Sequence, residues 1–204
     1  MKKIISIITV CLACVLSLTA CNTTPTEVTN DFSDVELVKW GTYDRLIFYN
    51  SLSDLEEGCD VAVIGTFVED STQKLFYQYH DYLEKDIIAG IRSTNTIEVK
   101  EVLRGDINVG DTITVGQKYA VVDGQLLTMS DLTPMVRGDT WIFFLFNNYD
   151  SGIYYCCGDS DGRYPVPNSD NQVIALTEYS NLGVYDEYNF KRGIYNEILE
   201  KYNV

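Results

Sequence analysis

From Asp60 onward the chain is a succession of short runs of β-branched and aromatic residues, each broken by Gly, Asp or Asn, and that pattern confines it to a mainly β fold. Asp60-Val61-Ala62-Val63-Ile64-Gly65-Thr66-Phe67-Val68-Glu69 is almost continuously apolar, which predicts a strand covered on both faces. From Thr94 to Leu103, Thr94, Thr96 and Glu98 alternate with Asn95, Ile97 and Val99, and Arg104-Gly105-Asp106 stops the run with turn chemistry. Another strand starts at Asp111-Thr112-Ile113-Thr114-Val115, after the Val109-Gly110 turn. Asp123-Gly124 suits a two-residue hairpin turn with positive φ, joining Tyr119-Ala120-Val121-Val122 to Gln125-Leu126-Leu127-Thr128-Met129. A second hairpin is predicted from Trp141–Phe146 and Ile153–Cys157 around a polar turn at 147–152, followed by a last short edge strand near Tyr164-Pro165, where proline is tolerated.

Helices are expected only at the two ends of this β region. Ser51 to Gly58 has an N-cap serine, acids in the first turn and a glycine stop. Residues 188–202 form an amphipathic pattern with Ile194, Ile198 and Leu199 on one face. The stretch 74–91 satisfies two periods at once: Leu75, Tyr77 and Tyr79 alternate as in a strand, while Leu75, Tyr79, Tyr82 and Leu83 share a helix face. An extended first arm followed by an irregular excursion ending near Gly90 is the preferred reading, and residues 35–44 are indecisive. One domain over 35–204 with its core at 55–167 follows, a small OB-like barrel or sandwich of about five to seven strands.

The N-terminus carries a different signal. Met1-Lys2-Lys3 is a positive n-region, and the uncharged apolar run from Ile4 to Leu18 is too short to cross a hydrocarbon core of about 30 Å comfortably. Leu18-Thr19-Ala20-Cys21 resembles the lipobox of bacterial lipoproteins, which implies that residues 1–20 are a signal peptide and that Cys21 receives a lipid. The alternative is an ordinary secretory peptide with an A-x-A-like cleavage site and an incidental Cys21. Residues 21–34, rich in Asn, Thr, Pro, Glu and Asp, read as the lipidated flexible tether.

The same strand and turn segments extend the resemblance. Asp60–Gly65, Val99-Lys100-Glu101-Val102-Leu103-Arg104-Gly105-Asp106, Val109–Ile113 and Gly138-Asp139-Thr140-Trp141-Ile142-Phe143-Phe144-Leu145 look like uncharacterised small lipoproteins of Gram-positive bacteria. Their order is similar to open OB-like barrels, including the netrin-like domains of metalloprotease inhibitors. The likeness is one of scaffold. Netrin-like domains carry a cysteine framework and the inhibitors an N-terminal cysteine that reaches a metal, so inhibitor function is not carried across. What the resemblance implies is a lipid-anchored protein on the extracytoplasmic face of the cell membrane.

Charge limits the partners. The chain has 15 basic and 30 acidic residues, and loss of Lys2 and Lys3 with the leader takes the net charge from −15 to −17. Such a field repels phosphate backbones and anionic headgroups, so nucleic acid is not an expected partner and membrane contact should come through the lipid rather than a basic patch. A protein, peptide or glycan of the envelope is the expected partner.

Candidate chemistry is sparse. His80 is the only histidine, so a triad could be built only around it and a multi-histidine zinc site is excluded. Asp159-Ser160-Asp161-Gly162 resembles half of a calcium loop but lacks the later ligands, so no metal is expected, and no cofactor motif is present. Cys59 can bridge to Cys156 or Cys157, not both, and buried free thiols are the alternative. Tyr149, Tyr154, Tyr155 and Tyr164 cluster in sequence around the last hairpin and are the candidate binding face, the competing role being to fill and cover the barrel. A non-enzymatic interaction module is the leading functional expectation; a hydrolase of envelope polymers using two carboxylates in one cleft is the alternative.

Overall fold

A computed structural model describes residues 49–128, 135, 137–158, 162–167 and 191–204 in full, and residues 26–28, 36–41, 129 and 185–190 as backbone elements. In chain order these are β1 (Thr26–Val28), β2 (Glu36–Gly41), α1 (Leu52–Glu57), β3 (Val61–Phe67), β4 (Ser71–His80), β5 (Lys85–Arg104), β6 (Thr112–Gln117), β7 (Tyr119–Val122), β8 (Gln125–Met129), β9 (Thr140–Asn148), β10 (Ile153–Cys156), β11 (Arg163–Pro165) and α2 (Tyr185–Tyr202).

Five strands close on themselves. β3 pairs with β5 and β9, β5 with β6, β9 with β10, and β10 with β6, the last pair parallel and the others antiparallel. The result is a small barrel consistent with an OB-like fold. Closure leaves these strands without a free edge.

The near-continuous apolar runs of β3 and β9 follow from two covered faces. Val61, Val63 and Phe67 of β3 and Trp141, Phe143 and Leu145 of β9 point into the barrel with Ile97, Val99 and Val115. The alternate residues Ala62, Ile64, Ile142 and Phe144 point outward and are buried against Leu52 and Leu55 of α1 and Ile194, Tyr195 and Ile198 of α2. Phe143 and Phe144, adjacent and both fully buried, therefore belong to different cores. Truncating either to alanine would cost about 3–5 kcal/mol.

The short N-terminal helix forms as its caps dictate: Ser51 accepts from the Asp54 N–H at 3.1 Å, and the Gly58 N–H closes the last turn on the Asp54 carbonyl. Asp123 and Gly124 take φ of 51° and 78°, forming the β7–β8 turn between strands that pair as expected. β8 also pairs in parallel with β2, giving a second, three-stranded sheet.

Two expectations are corrected. Residues 74–91 hold no irregular excursion: β4 and the first half of β5 form one long hairpin, paired from Thr72↔Thr94 to His80↔Lys85, with a bulge between Phe76 and Tyr77. Two mutually paired strands satisfy the backbone groups that face each other and leave the outward ones to water, so the segment stays regular beyond the barrel. Within the stretch read as a flexible tether, Thr26–Val28 is a strand antiparallel to Ser71–Gln73.

Candidate interaction surface

The β4–β5 hairpin projects from the barrel as an arm whose root is tied down and whose far end is not. At the root, Leu75, Ile88 and Ile91 pack on Ala120, Val122 and Leu127 of the β7–β8 hairpin. The Gln73 side-chain amide accepts from the Val121 N–H at 2.8 Å and donates to the Val121 carbonyl at 2.9 Å. Farther out, Phe76 lies under the cations of Lys74 and Arg92, 5.2 and 5.5 Å from its ring centre. The turn at 81–84 is closed by Leu83 N–H donating to the His80 carbonyl at 3.1 Å and to His80 Nδ1 at 3.3 Å, and Glu84 takes φ of 51°. Beyond the packed root, Tyr77, Tyr79, Tyr82 and Leu83 are 55, 56, 90 and 48 % exposed. Large apolar side chains are thus concentrated at the end of the arm.

The tyrosines singled out around the last hairpin do not form one face. Tyr149, in the β9–β10 turn, is exposed, and its hydroxyl donates to Asp60 Oδ1 at 3.2 Å, a bond that raises its pKa. Tyr154 packs against the barrel interior. Its neighbour Tyr155 points the other way, stacked on Phe146 at 5.7 Å. Tyr164 is buried under α2 and stacks on Tyr195 at 6.2 Å. Of the four, Tyr149 is exposed, Tyr154 and Tyr155 are half-buried on opposite faces of their strand, and Tyr164 is buried.

The cysteines sort by face. Cys59, Cys156 and Cys157 are free and buried, with no bridge among the described residues. Cys156 points into the barrel, whereas Cys157 lies with Cys59 in the layer between barrel and helices. The Cys157 thiol donates to the Gly58 carbonyl at 3.3 Å and the Cys59 thiol to the Glu56 carbonyl at 3.5 Å. Burial pushes the Cys156 thiol up to about 11 and Cys157 higher still, because the thiols of Cys59 and Cys156 add to its burial.

Carboxylates converge in a groove of about 540 Å³ between the helices, lined by Leu52, Ser53, Glu56, Glu197, Glu200 and Lys201. Two of the three are tied into the contact between the helices. Glu197 accepts from the Leu52 N–H at 3.1 Å, and Glu56 accepts from Lys201 and Tyr202. Burial raises the Glu56 pKa, but hydrogen bonds from Lys201 and Tyr202 and the charges of Lys201 and Arg104 outweigh it, leaving the group below its ordinary value. A carboxyl held ionised is suited to a clamp and unsuited to general acid work.

His80 closes the arm's turn. Cys21 and residues 159–161 of the candidate calcium loop lie outside the described residues. Among the described residues no helix is long and apolar enough to cross a membrane. No protein-family model matches the chain, and no curated protein matches it.

The aromatic end of the arm is the surface that sequence reasoning passed over. Its signal was the alternation of Leu75, Tyr77 and Tyr79, which reads as a strand once residues 85–94 are recognised as its partner.

Proposed function

We propose that the protein is an extracytoplasmic lipoprotein, held on the cell membrane by acylated Cys21, whose barrel is a non-enzymatic interaction module and whose contact surface is the β4–β5 arm. The observation that carries the module reading is the exposure of Tyr77, Tyr79, Tyr82 and Leu83 at the end of a rigidly rooted hairpin. The anchor reading rests on Lys2-Lys3, the apolar run to Leu18 and Leu18-Thr19-Ala20-Cys21. Membership of the small-lipoprotein group resembled by Val99–Asp106 and Gly138–Leu145 is part of the same proposal.

The test is expression of the full precursor in a bacterium, with and without Cys21→Ala, following acyl incorporation and membrane fractionation. Acylation and membrane retention that vanish with the substitution support the anchor. A soluble, unacylated wild type removes it.

A further inference from the structure

We propose that the tip of the β4–β5 arm is a membrane-interface contact, with Tyr77, Tyr79, Tyr82 and Leu83 resting in the headgroup layer of the same bilayer that carries the acylated Cys21. This rests on the anchored reading above and names the partner of its contact surface.

Strand direction makes the argument. β1 runs antiparallel to β4, with Thr26 opposite Gln73 and Val28 opposite Ser71, so Thr26, the end of β1 nearer Cys21 in sequence, faces the side of the arm's tip. Cys21 is five residues upstream, a reach of at most about 18 Å. From Gln73 to His80 the arm runs seven residues farther, about 24 Å. Even the tether at its full reach, laid along the arm, ends about 6 Å short of His80, so an arm directed at the bilayer reaches past the anchor. That margin matches the depth at which amphipathic elements lie in the headgroup region, about 5–10 Å.

The side chains match that depth. Tyrosine carries an apolar ring and a polar hydroxyl and is enriched at membrane–water boundaries, and Leu83 adds a purely apolar group at the turn. Tyr82 is 90 % exposed, and a ring standing that free enters a soft layer more readily than it cradles a sugar or peptide. Asp81, Glu84 and Asp86 against Lys85 leave the turn acidic, in keeping with the net charge of −17 expected after cleavage. Attraction to anionic lipid therefore contributes nothing, and the contact should favour zwitterionic headgroups.

The experiment uses the mature acylated protein carrying Tyr82→Trp, inserted in phosphatidylcholine vesicles with brominated acyl chains. The same protein without that substitution supplies the background from Trp40 and Trp141. At least a twofold quenching of the added indole, lost when Tyr77→Ser, Tyr79→Ser and Leu83→Ser are combined with it, supports the contact. Each position is largely exposed, so circular dichroism and Tm should be unchanged. Added emission that brominated lipid leaves untouched, with the acyl group present by mass, overturns the contact while the anchor stands; cross-linking of the tip to an envelope protein would then identify the arm as a protein-docking surface. A mass lacking the acyl group overturns the anchor itself and this inference with it.

Discussion

The Nζ of Lys201 lies 2.6 Å from Glu56 Oε2 and 2.7 Å from Oε1, so the last turn of α2 is clamped to the last turn of α1 across the outer face of the barrel. The clamp is half in water: the Lys201 side chain is 52 % exposed and that of Glu56 is 13 % exposed. Lys201→Ala should therefore cost about 1 kcal/mol or less. Tyr202→Phe, which removes a hydrogen bond to the same carboxylate, should cost about 1.5–3 kcal/mol. Urea unfolding of the two variants gives the ranking, and a larger loss for Lys201→Ala would contradict it.

The same carboxylate sets a pH dependence. Because the folded pKa of Glu56 lies below its ordinary 4.5, its contribution is complete above about pH 4.5 and is lost as pH falls through the folded value. Wild type should thus lose stability between pH 5 and 3 more steeply than Glu56→Gln, which has no charge to neutralise there. Parallel stability curves for the two proteins over that window would show that the clamp carries no linkage.

Gly105 and Gly110 separate backbone conformation from close approach. Both take positive φ, 99° and 91°, where a side chain is strained by about 1–3 kcal/mol. A Cβ at Gly105 would also lie 2.6 Å from the Asp60 carbonyl oxygen and 2.9 Å from Val61 Cα, whereas nothing lies within 4 Å at Gly110. Gly105→Ala should accordingly be the more damaging by at least about 1 kcal/mol, since backbone at the start of β3 must shift. Equal losses in Tm would mean that φ alone matters at both turns.

What was legible in the sequence tracks how locally each feature is determined. β3 and β9 were readable because covering on two faces demands unbroken apolar runs, and Ser51, Gly58 and Asp123-Gly124 were readable because caps and turns are decided by a few adjacent atoms. Of the arm, the extended first strand was readable from Leu75, Tyr77 and Tyr79, but the return strand was not, because Leu75, Tyr79 and Leu83 satisfy helical and strand periods alike and only pairing with residues 85–94 decides between them. The candidate tyrosines misled for a related reason. Tyr154 and Tyr155 are adjacent on a strand and must point to opposite faces, so nearness in sequence could not make them neighbours on one surface.

The three buried thiols should be silent in the native protein. At pH 8 a thiol with a pKa of about 11 is ionised to about one part in a thousand, and Cys156 is walled into the barrel besides. In the mature Cys21→Ala protein, a disulfide-exchange reagent should label Cys59, Cys156 and Cys157 only as fast as the protein unfolds, and all three at once in denaturant. Labelling of just one thiol in denaturant would reveal a Cys59–Cys157 bridge, the pairing that their shared face permits.

Tyr119 and Ser71 meet where the arm is rooted: Ser71 opens β4, Tyr119 opens β7, and their hydroxyls are hydrogen-bonded in a site from which both are fully buried. Asn95 of β5 donates to the same Ser71 hydroxyl, and Ser93 donates to the Tyr119 carbonyl at 2.8 Å. A polar group left unpaired there costs about 1–3 kcal/mol, so Tyr119→Phe and Ser71→Ala should each destabilise by about that much. Because they break one shared bond, the double variant should cost less than the sum by about 0.5–3 kcal/mol. The consequence reaches the contact surface: with the root loosened, amide exchange across 74–91 should quicken while β3 and β9 stay protected. Strict additivity, or faster exchange spread evenly over the barrel, would mean that this network supports the barrel as a whole and that packing on Ala120 and Leu127 holds the arm.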